Sequence, residues 1–290
     1  MAAGRRDRDA LSLFADELKA HRDARGWTQA DLAAKIAYSD SLIAQVETCR
    51  RAPSKDLAKA LDKVFATPGF TEETPDSPGT PGTFGRLAAK LRNLPFPASF
   101  RSFAPYEAEA VALHVFEHSL IPGLLQTEAY AHAVLATRPN TAEDEIGNLV
   151  AGRLARQAVL WRDDPPAPIL WALIDEGALY RPVAPSDVMH DQLRHLAEVS
   201  LRPNVTVQVV PYAAGGHTGL LGACTIADLD GSPSIVYLED IADGRVTDDA
   251  ATVSQVTLRF NSLRSEALPK GASRELIVRV AEERWQGSAP

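Results

Sequence analysis

Two cysteines in 290 residues, Cys49 and Cys224, stand 175 positions apart and make no CxxC pair. That scarcity tells against a disulfide framework and a thiolate ligand pair, and it fits a reducing cytoplasm. Long apolar runs are missing too: none reaches eighteen residues, and the N-terminal MAAGRRDRDALSLF has no apolar segment behind its arginines. Neither a membrane span nor a signal peptide is expected. G-x-S-x-G, a phosphate-binding loop and a dinucleotide fingerprint are absent, which sets aside the chemistries those motifs carry. Positive charge is short, with 30 Lys and Arg against 38 Asp and Glu, a net charge of −8. There is no internal repeat.

The shortage of positive charge is uneven. Residues 1–65 hold twelve Lys and Arg against ten Asp and Glu, which leaves −10 for the remainder. Nucleic acid, if bound at all, is therefore bound by the first part. At 45% hydrophobic residues the chain can supply two cores. The boundary falls in TPGFTEETPDSPGTPGTFG, residues 67–85, where four prolines and four glycines among Thr, Ser and acids favour an extended solvated linker. Before it, the helical spacing of Leu11, Phe14 and Leu18, then TQADLAAKIA, YSDSLIAQVETCRR and SKDLAKALDKVFA, predict an all-α domain over 1–66. After it, FGRLAAKLRN predicts a bridging helix, with 86–93 the candidate for coupling the two domains. EAEAVALHVFEH, PILWALIDE, NVTVQVVP, GACTIADLD and SIVYLED read as strands, among stretches of helical period such as PSDVMHDQLRHLAEVSL and SRELIVRVAEERW. The chain is thus expected to be multidomain, with an α+β domain over 86–290 built on a small, mostly antiparallel sheet.

Residues 28–55 carry the clearest pattern. Counted from Gln29, a helix-turn-helix needs apolar residues at its fourth, eighth, fifteenth and eighteenth positions and a small fifth one, so that two helices can cross closely. Leu32, Ile36, Ile43, Val46 and Ala33 meet these demands. Thr28 and Ser39 stand where the two helices need N-caps. Ala37 departs from the pattern, since a glycine usually supplies the left-handed turn and a β-carbon there costs roughly 1 kcal/mol. With Ile43 and Val46 inward, Asp40, Ser41, Ala44, Gln45 and Thr48 turn outward, toward base edges. Gln45 suits adenine, Ser41 a phosphate or a base, Ala44 a thymine methyl, and Asp40 a cytosine amine against phosphate repulsion. Arg50, Arg51 and Lys55, with the helix ends at Thr28, Gln29 and Ser39, would hold phosphate. Glu47 is expected to bond inside the domain, near Arg50 or Arg51. RGWTQADLAAKIAYSDSLIAQVETCRRAPS resembles the DNA-binding domain of the Xre/Cro-like repressors, with the likeness covering about residues 10–66.

The second part offers weaker signals. HVFEH, residues 114–118, spells an H-x-x-E-H zinc-peptidase signature. A helix would bring His114 and His118 to one metal with Glu117 as base, whereas in a strand the two histidines stand roughly 13 Å apart. The preceding alternation and Pro122-Gly123 favour the strand, so no metal, cofactor or catalytic residue is expected, and a DNA-binding module fused to a peptidase-like enzyme is the alternative reading. Asp175 and Glu176 end an apolar strand, where a catalytic acid could sit, but capping the following helix beside Arg181 explains them as well. Arg153 and Arg156 read as a solvated basic face or a buried ion pair, His190 and His195 as surface residues, and YAAGGHTG as a turn joining strands.

LIPGLLQTEAYAHAVL, RLARQAVLW, LIDEGALYRPV, MHDQLRHL, VTVQVVPY and IVYLED, in this order, resemble the C-terminal domain of WhiJ-like regulators of streptomycetes and related actinobacteria, over roughly residues 95–286. The resemblance implies an antitoxin-like organisation and a very small partner protein encoded nearby. Together these readings predict a cytoplasmic, sequence-specific transcription regulator, a repressor, with no membrane partner. Residues 1–66 would dock on double-stranded operator DNA as part of a homodimer, and the acidic domain would sense a small protein or a ligand.

Overall fold

Leu11, Phe14 and Leu18 line the inner side of the first helix, α1 (Ala2–Asp23), and are almost fully buried. They are met by α2 (Gln29–Ile36), α3 (Asp40–Glu47) and α4 (Lys55–Phe65), which contribute Leu32, Ile43, Val46, Leu57, Leu61 and Phe65 to one apolar cluster. The computed structural model describes residues 2–72, 79–92, 100–139, 141–239 and 244–286, and the chain divides into two units, 1–105 and 106–290. Helices α2, α3 and α4 each start on a hydroxyl cap. The side chains of Thr28, Ser39 and Ser54 accept from the backbone N–H groups of Asp31, Leu42 and Leu57, meeting donors that a helix start leaves unpaired. Ala37 adopts φ 58° and ψ 43°, the left-handed turn that a helix-turn-helix needs, here made by an alanine.

The segment after α4 departs from the expected linker. Helix α5 (Thr83–Arg92) places Phe84, Leu87, Ala88 and Leu91 in the same cluster as Phe14 and Phe65, so it belongs to the first unit. Its start is held by Asp62, which is fully buried. The Asp62 carboxylate accepts from the N–H groups of Gly82, Phe84 and Gly85 at 3.0, 2.8 and 2.8 Å, and from the Thr67 hydroxyl at 2.5 Å. A β-carbon on Gly82 would lie 2.0 Å from the Thr67 hydroxyl and 2.5 Å from Asp62 Oδ1. That glycine is there for close approach to a buried carboxylate, which composition cannot distinguish from the glycine of a flexible linker. Residues 73–78 of the expected linker lie outside the described residues.

In the second unit a six-stranded sheet has the order β3-β2-β1-β4-β5-β6. Its strands are β1 (Ala112–Glu117), β2 (Ile169–Asp175), β3 (Val205–Val210), β4 (Cys224–Leu229), β5 (Ser232–Leu238) and β6 (Arg245–Thr247). The β1–β2 and β2–β3 pairings are parallel; β1–β4, β4–β5 and β5–β6 are antiparallel. The α+β expectation holds, with a mixed sheet. Parallel neighbours need long crossovers, and these are supplied by α7 (Glu128–Ala136) with α8 (Glu143–Gln157), and by α9 (Glu176–Tyr180) with α10 (Ser186–Val199). Two departures are local. Glu107, Ala108 and Glu109 belong to helix α6 (Ala104–Glu109), not to the strand, and β6 was not foreseen because three residues carry no readable alternation. Helices α11 (Ala250–Glu266) and α12 (Lys270–Arg284) follow the sheet, and α11 packs Val256, Phe260 and Leu263 against Phe116, Leu173, Ile226 and Val236. No described helix is long and apolar enough to cross a membrane.

Candidate nucleic-acid interface

Helix α3 has eight residues and two faces. Ile43 and Val46 are fully buried, while Ser39, Asp40, Ser41 and Thr48 are exposed and Ala44 and Gln45 half-exposed. The outward residues are those the spacing selects. Gln45 Nε2 donates to Ser41 Oγ at 3.3 Å one turn earlier, so the amide is held against its own helix. The Thr48 hydroxyl donates to the Ala44 carbonyl at 2.7 Å and is left with acceptor capacity only.

The cations follow the end of α3 along the chain. Cys49 takes φ 58°, and the turn it makes lets the Arg50 and Arg51 N–H groups donate to the Gln45 carbonyl at 2.8 and 3.2 Å. Both arginine side chains are exposed, and Lys55 is exposed at the first position of α4, behind the Ser54 cap. Cations and reading groups therefore share the region that contains the end of α3 and the start of α4.

The two helix starts are less bare than expected. At α2 the Asp31 carboxylate accepts from Thr28 N at 2.8 Å, completing a capping box. These bonds to Thr28 hold Asp31 below its ordinary range. At α3 Asp40 Oδ1 accepts from Ser41 N at 2.8 Å. A carboxylate at each start lowers the pull of the helix end on an anion.

Glu47 has a different partner from the one expected. Its carboxylate meets Arg22 of α1 through two bonds, Nε to Oε1 at 2.6 Å and Nη2 to Oε2 at 3.1 Å, and accepts from Gln29 Nε2 at 2.8 Å. The bond to Glu47 raises the Arg22 pKa above its ordinary value, and Arg22 also donates to the Trp27 carbonyl at 2.7 Å. Glu47 is thus the buried centre of a bracket joining α1, α2 and α3. Gln29, expected at phosphate, contributes its amide to that bracket.

In the second unit His114 lies in strand β1 as expected, with Nε2 3.0 Å from Asp228 Oδ2 and its ring against Phe260. Glu117 is three residues on and points to the opposite face of the sheet, so the H-x-x-E-H residues do not converge. The described residues contain no group of three or more His, Cys, Asp or Glu placed to hold a metal ion. Of the two readings open for Arg156, a solvated face or a buried ion pair, it takes the second, with both Glu107 oxygens at 2.7 Å. Asp175 Oδ1 caps Gly177 N at 2.7 Å. Its Oδ2 stands 3.1 Å from Nε2 of His217, a contact that nothing in YAAGGHTG announced. His190 and His195 are half-buried, and burial lowers the His195 pKa. Sequence reasoning also passed over Glu117 as a site in its own right. The available signal was that three strand runs end on acids: HVFE, LIDE and YLED.

A family model described as a helix-turn-helix domain matches residues 13–73. A second, described as a domain of unknown function, DUF5753, matches residues 100–279. No curated protein and no solved structure matches the chain.

Proposed function

We propose, from the premise that the chain belongs to the DUF5753 family and opens with a helix-turn-helix domain, that it is a sequence-specific transcriptional repressor with a sensing domain behind its DNA-binding head. The observation that carries this reading is the exposed face of α3. Gln45 is held there by Ser41 and followed by Arg50, Arg51 and Lys55, in the only part of the chain that is not strongly anionic. In this reading Gln45, Ser41, Ala44 and Asp40 meet bases, the cations hold phosphate, and Thr48 accepts from a base amino group. Three cations neutralise few phosphates, so one head binds weakly. A homodimer on two half-sites one helical turn apart supplies the missing contacts. We read the chain as cytoplasmic and non-enzymatic, of Xre type, with the antitoxin-like organisation of WhiJ-like actinobacterial regulators. Residues 106–290 would answer to a very small partner protein or a ligand. The peptidase-like alternative is disfavoured because His114 and Glu117 face opposite sides of a strand.

A gel shift on the chain's own promoter tests the reading face. Gln45→Ala combined with Arg50→Ala should weaken binding by roughly a hundredfold, and Arg50→Ala alone should reduce the salt slope by about one. Unchanged binding in the double variant would remove α3 as the reading helix.

A further inference from the structure

The second unit has a polar cluster that the DNA-binding function does not use. Strands β3, β2 and β1 are laid in one direction across the sheet; the chain then passes β1 and lays β4, β5 and β6 on its other side. The winding therefore reverses between β1 and β4. In open sheets with parallel strands, ligands sit at such a reversal, outside the carboxyl ends of the strands. The carboxyl ends of β1, β2 and β5 lie along one edge and carry Glu117, Asp175 and Glu239.

Asp175 is engaged by Gly177 and His217. Glu117 differs: among the described residues no hydrogen bond or ion pair reaches its carboxyl. Burial and the like charge of Glu239 push it up to about 8, and its charge in turn acts on Tyr130 of α7 and Cys224 of β4. Burial also dominates the shift of each neighbour, raising Tyr130 and Cys224 to about 12 and lowering Arg153 of α8 to about 10. Arg138 and Arg181 act on this group from further out, through Arg153 and Tyr130.

Arg153 is aimed. Its Nη1 donates to Gln126 Oε1 at 2.7 Å, and Gln126 is itself held by Nε2 to the Ile121 carbonyl and by Gln157 Nε2 to its own carbonyl, both at 2.7 Å. That leaves Nε and Nη2 of the fork with no acceptor among the described residues, beside Gly123, whose missing side chain would grow toward Nε at 3.8 Å. Tyr130 is fully buried; its oxygen accepts from Ile121 N at 3.3 Å, and its own O–H has no acceptor among the described residues. The cluster therefore has an acidic wall, Glu117 and Glu239, and a donating wall, Arg153 and Tyr130. These groups interact without forming an ion pair within 4.0 Å.

We propose that the carboxyl end of β1 is a binding site for a small zwitterion of the α-amino-acid class, its ammonium group between Glu117 and Glu239 and its carboxylate on the Arg153 fork with Tyr130 beside it. A simple anion would meet the acidic wall and a simple cation the arginine; a short molecule carrying both charges satisfies both walls. The chain has no glycine-rich phosphate loop to favour a nucleotide. Near pH 7 the Glu117 carboxyl is mostly protonated. When the ammonium arrives its O–H bond breaks, the electron pair stays on the carboxylate and the proton passes to the buffer. The proposal deepens the reading of residues 106–290 as a sensing domain and rests on it only for the consequence at DNA.

Calorimetric titration of the full chain without DNA tests binding separately from the DNA-binding reading. The probes are the twenty standard α-amino acids, with acetate and ethylamine as singly charged controls, at pH 7 in two buffers of different ionisation heat. At least one amino acid should bind with release of about one proton, and both controls should bind at least tenfold more weakly. Glu117→Gln should weaken binding at least tenfold while leaving promoter gel shifts unchanged. Glu239→Gln, at an exposed position where folding is not at stake, should weaken it several-fold. No binding by any of the twenty, controls that bind equally well, or binding indifferent to both substitutions would each overturn the site. Loss of promoter binding by the unsubstituted chain would instead overturn the DNA-binding reading alone.

Discussion

At the residue scale, the two acids near α3 play unlike parts. Glu47 is buried under α3 and held by Arg22 and Gln29, whereas Asp40 is exposed at the helix start and bonds to Ser41 N. Arg22→Ala would leave the Glu47 carboxylate buried with one amide partner, a loss of about 3 kcal/mol. A fall in calorimetric Tm of several degrees checks this, and an unchanged Tm would mean that the bracket contributes nothing. Removing the exposed charge should act on binding. Asp40→Ala should tighten promoter binding several-fold by lifting phosphate repulsion, and it should relax the preference at the neighbouring base pair. Gel shifts on promoter variants read both effects, and a tighter but equally selective variant would make Asp40 a repulsive charge only. The outward set Asp40, Ser41, Ala44, Gln45 and Thr48 was legible because helix period is a local property. The partner of Glu47 was not, because Arg22 lies 25 residues away on another helix and spacing says nothing about which helices meet.

At the element scale, the instructive case is α5. Its period was readable and its allegiance was not. Helix α5 joins the first unit because Asp62, on the inner face of α4, accepts from three N–H groups in the turn that starts it. Asp62→Ala would leave those donors and the Thr67 hydroxyl without their acceptor in a buried place, at a combined cost of about 3–5 kcal/mol. Denaturant unfolding should show that loss, and amide exchange at Phe84 and Gly85 should accelerate well beyond that of α1. Destabilisation with exchange at these two amides unchanged would mean that Asp62 acts elsewhere. The turn at Ala37 illustrates the opposite outcome. A left-handed residue was required there by the crossing of α2 and α3, and the alanine adopts it at φ 58°.

At the scale of the whole molecule, pH should distinguish the second unit. Glu117 ionises near 4.5 in an unfolded chain and near 8 in the fold. Between those values the folded state holds the extra proton, so this contribution to stability is complete below about 4.5, is lost as pH rises toward 8, and is level above. Glu117→Gln imitates the protonated form. The Tm of the unsubstituted chain relative to that variant should therefore fall between about pH 5 and about pH 8; a constant difference would show that the carboxyl ionises in the fold without penalty. The meeting of Glu117 with Arg153, Tyr130 and Glu239 was beyond sequence reasoning, since four elements contribute and only the order of strands brings their ends to one edge. By itself the amino-acid sequence determined what depends on neighbours along the chain: two domains of different class, the caps at Thr28 and Ser39, the outward face of α3, and a charge balance that leaves only the first domain not strongly anionic. Tertiary structure decided what depends on desolvation and long-range contact. It settled which acid is buried and paired, as Glu47 is, and which is half-buried with no partner among the described residues, as Glu117 is. It also decided which unit takes α5, because those free energies are set by groups far away in sequence.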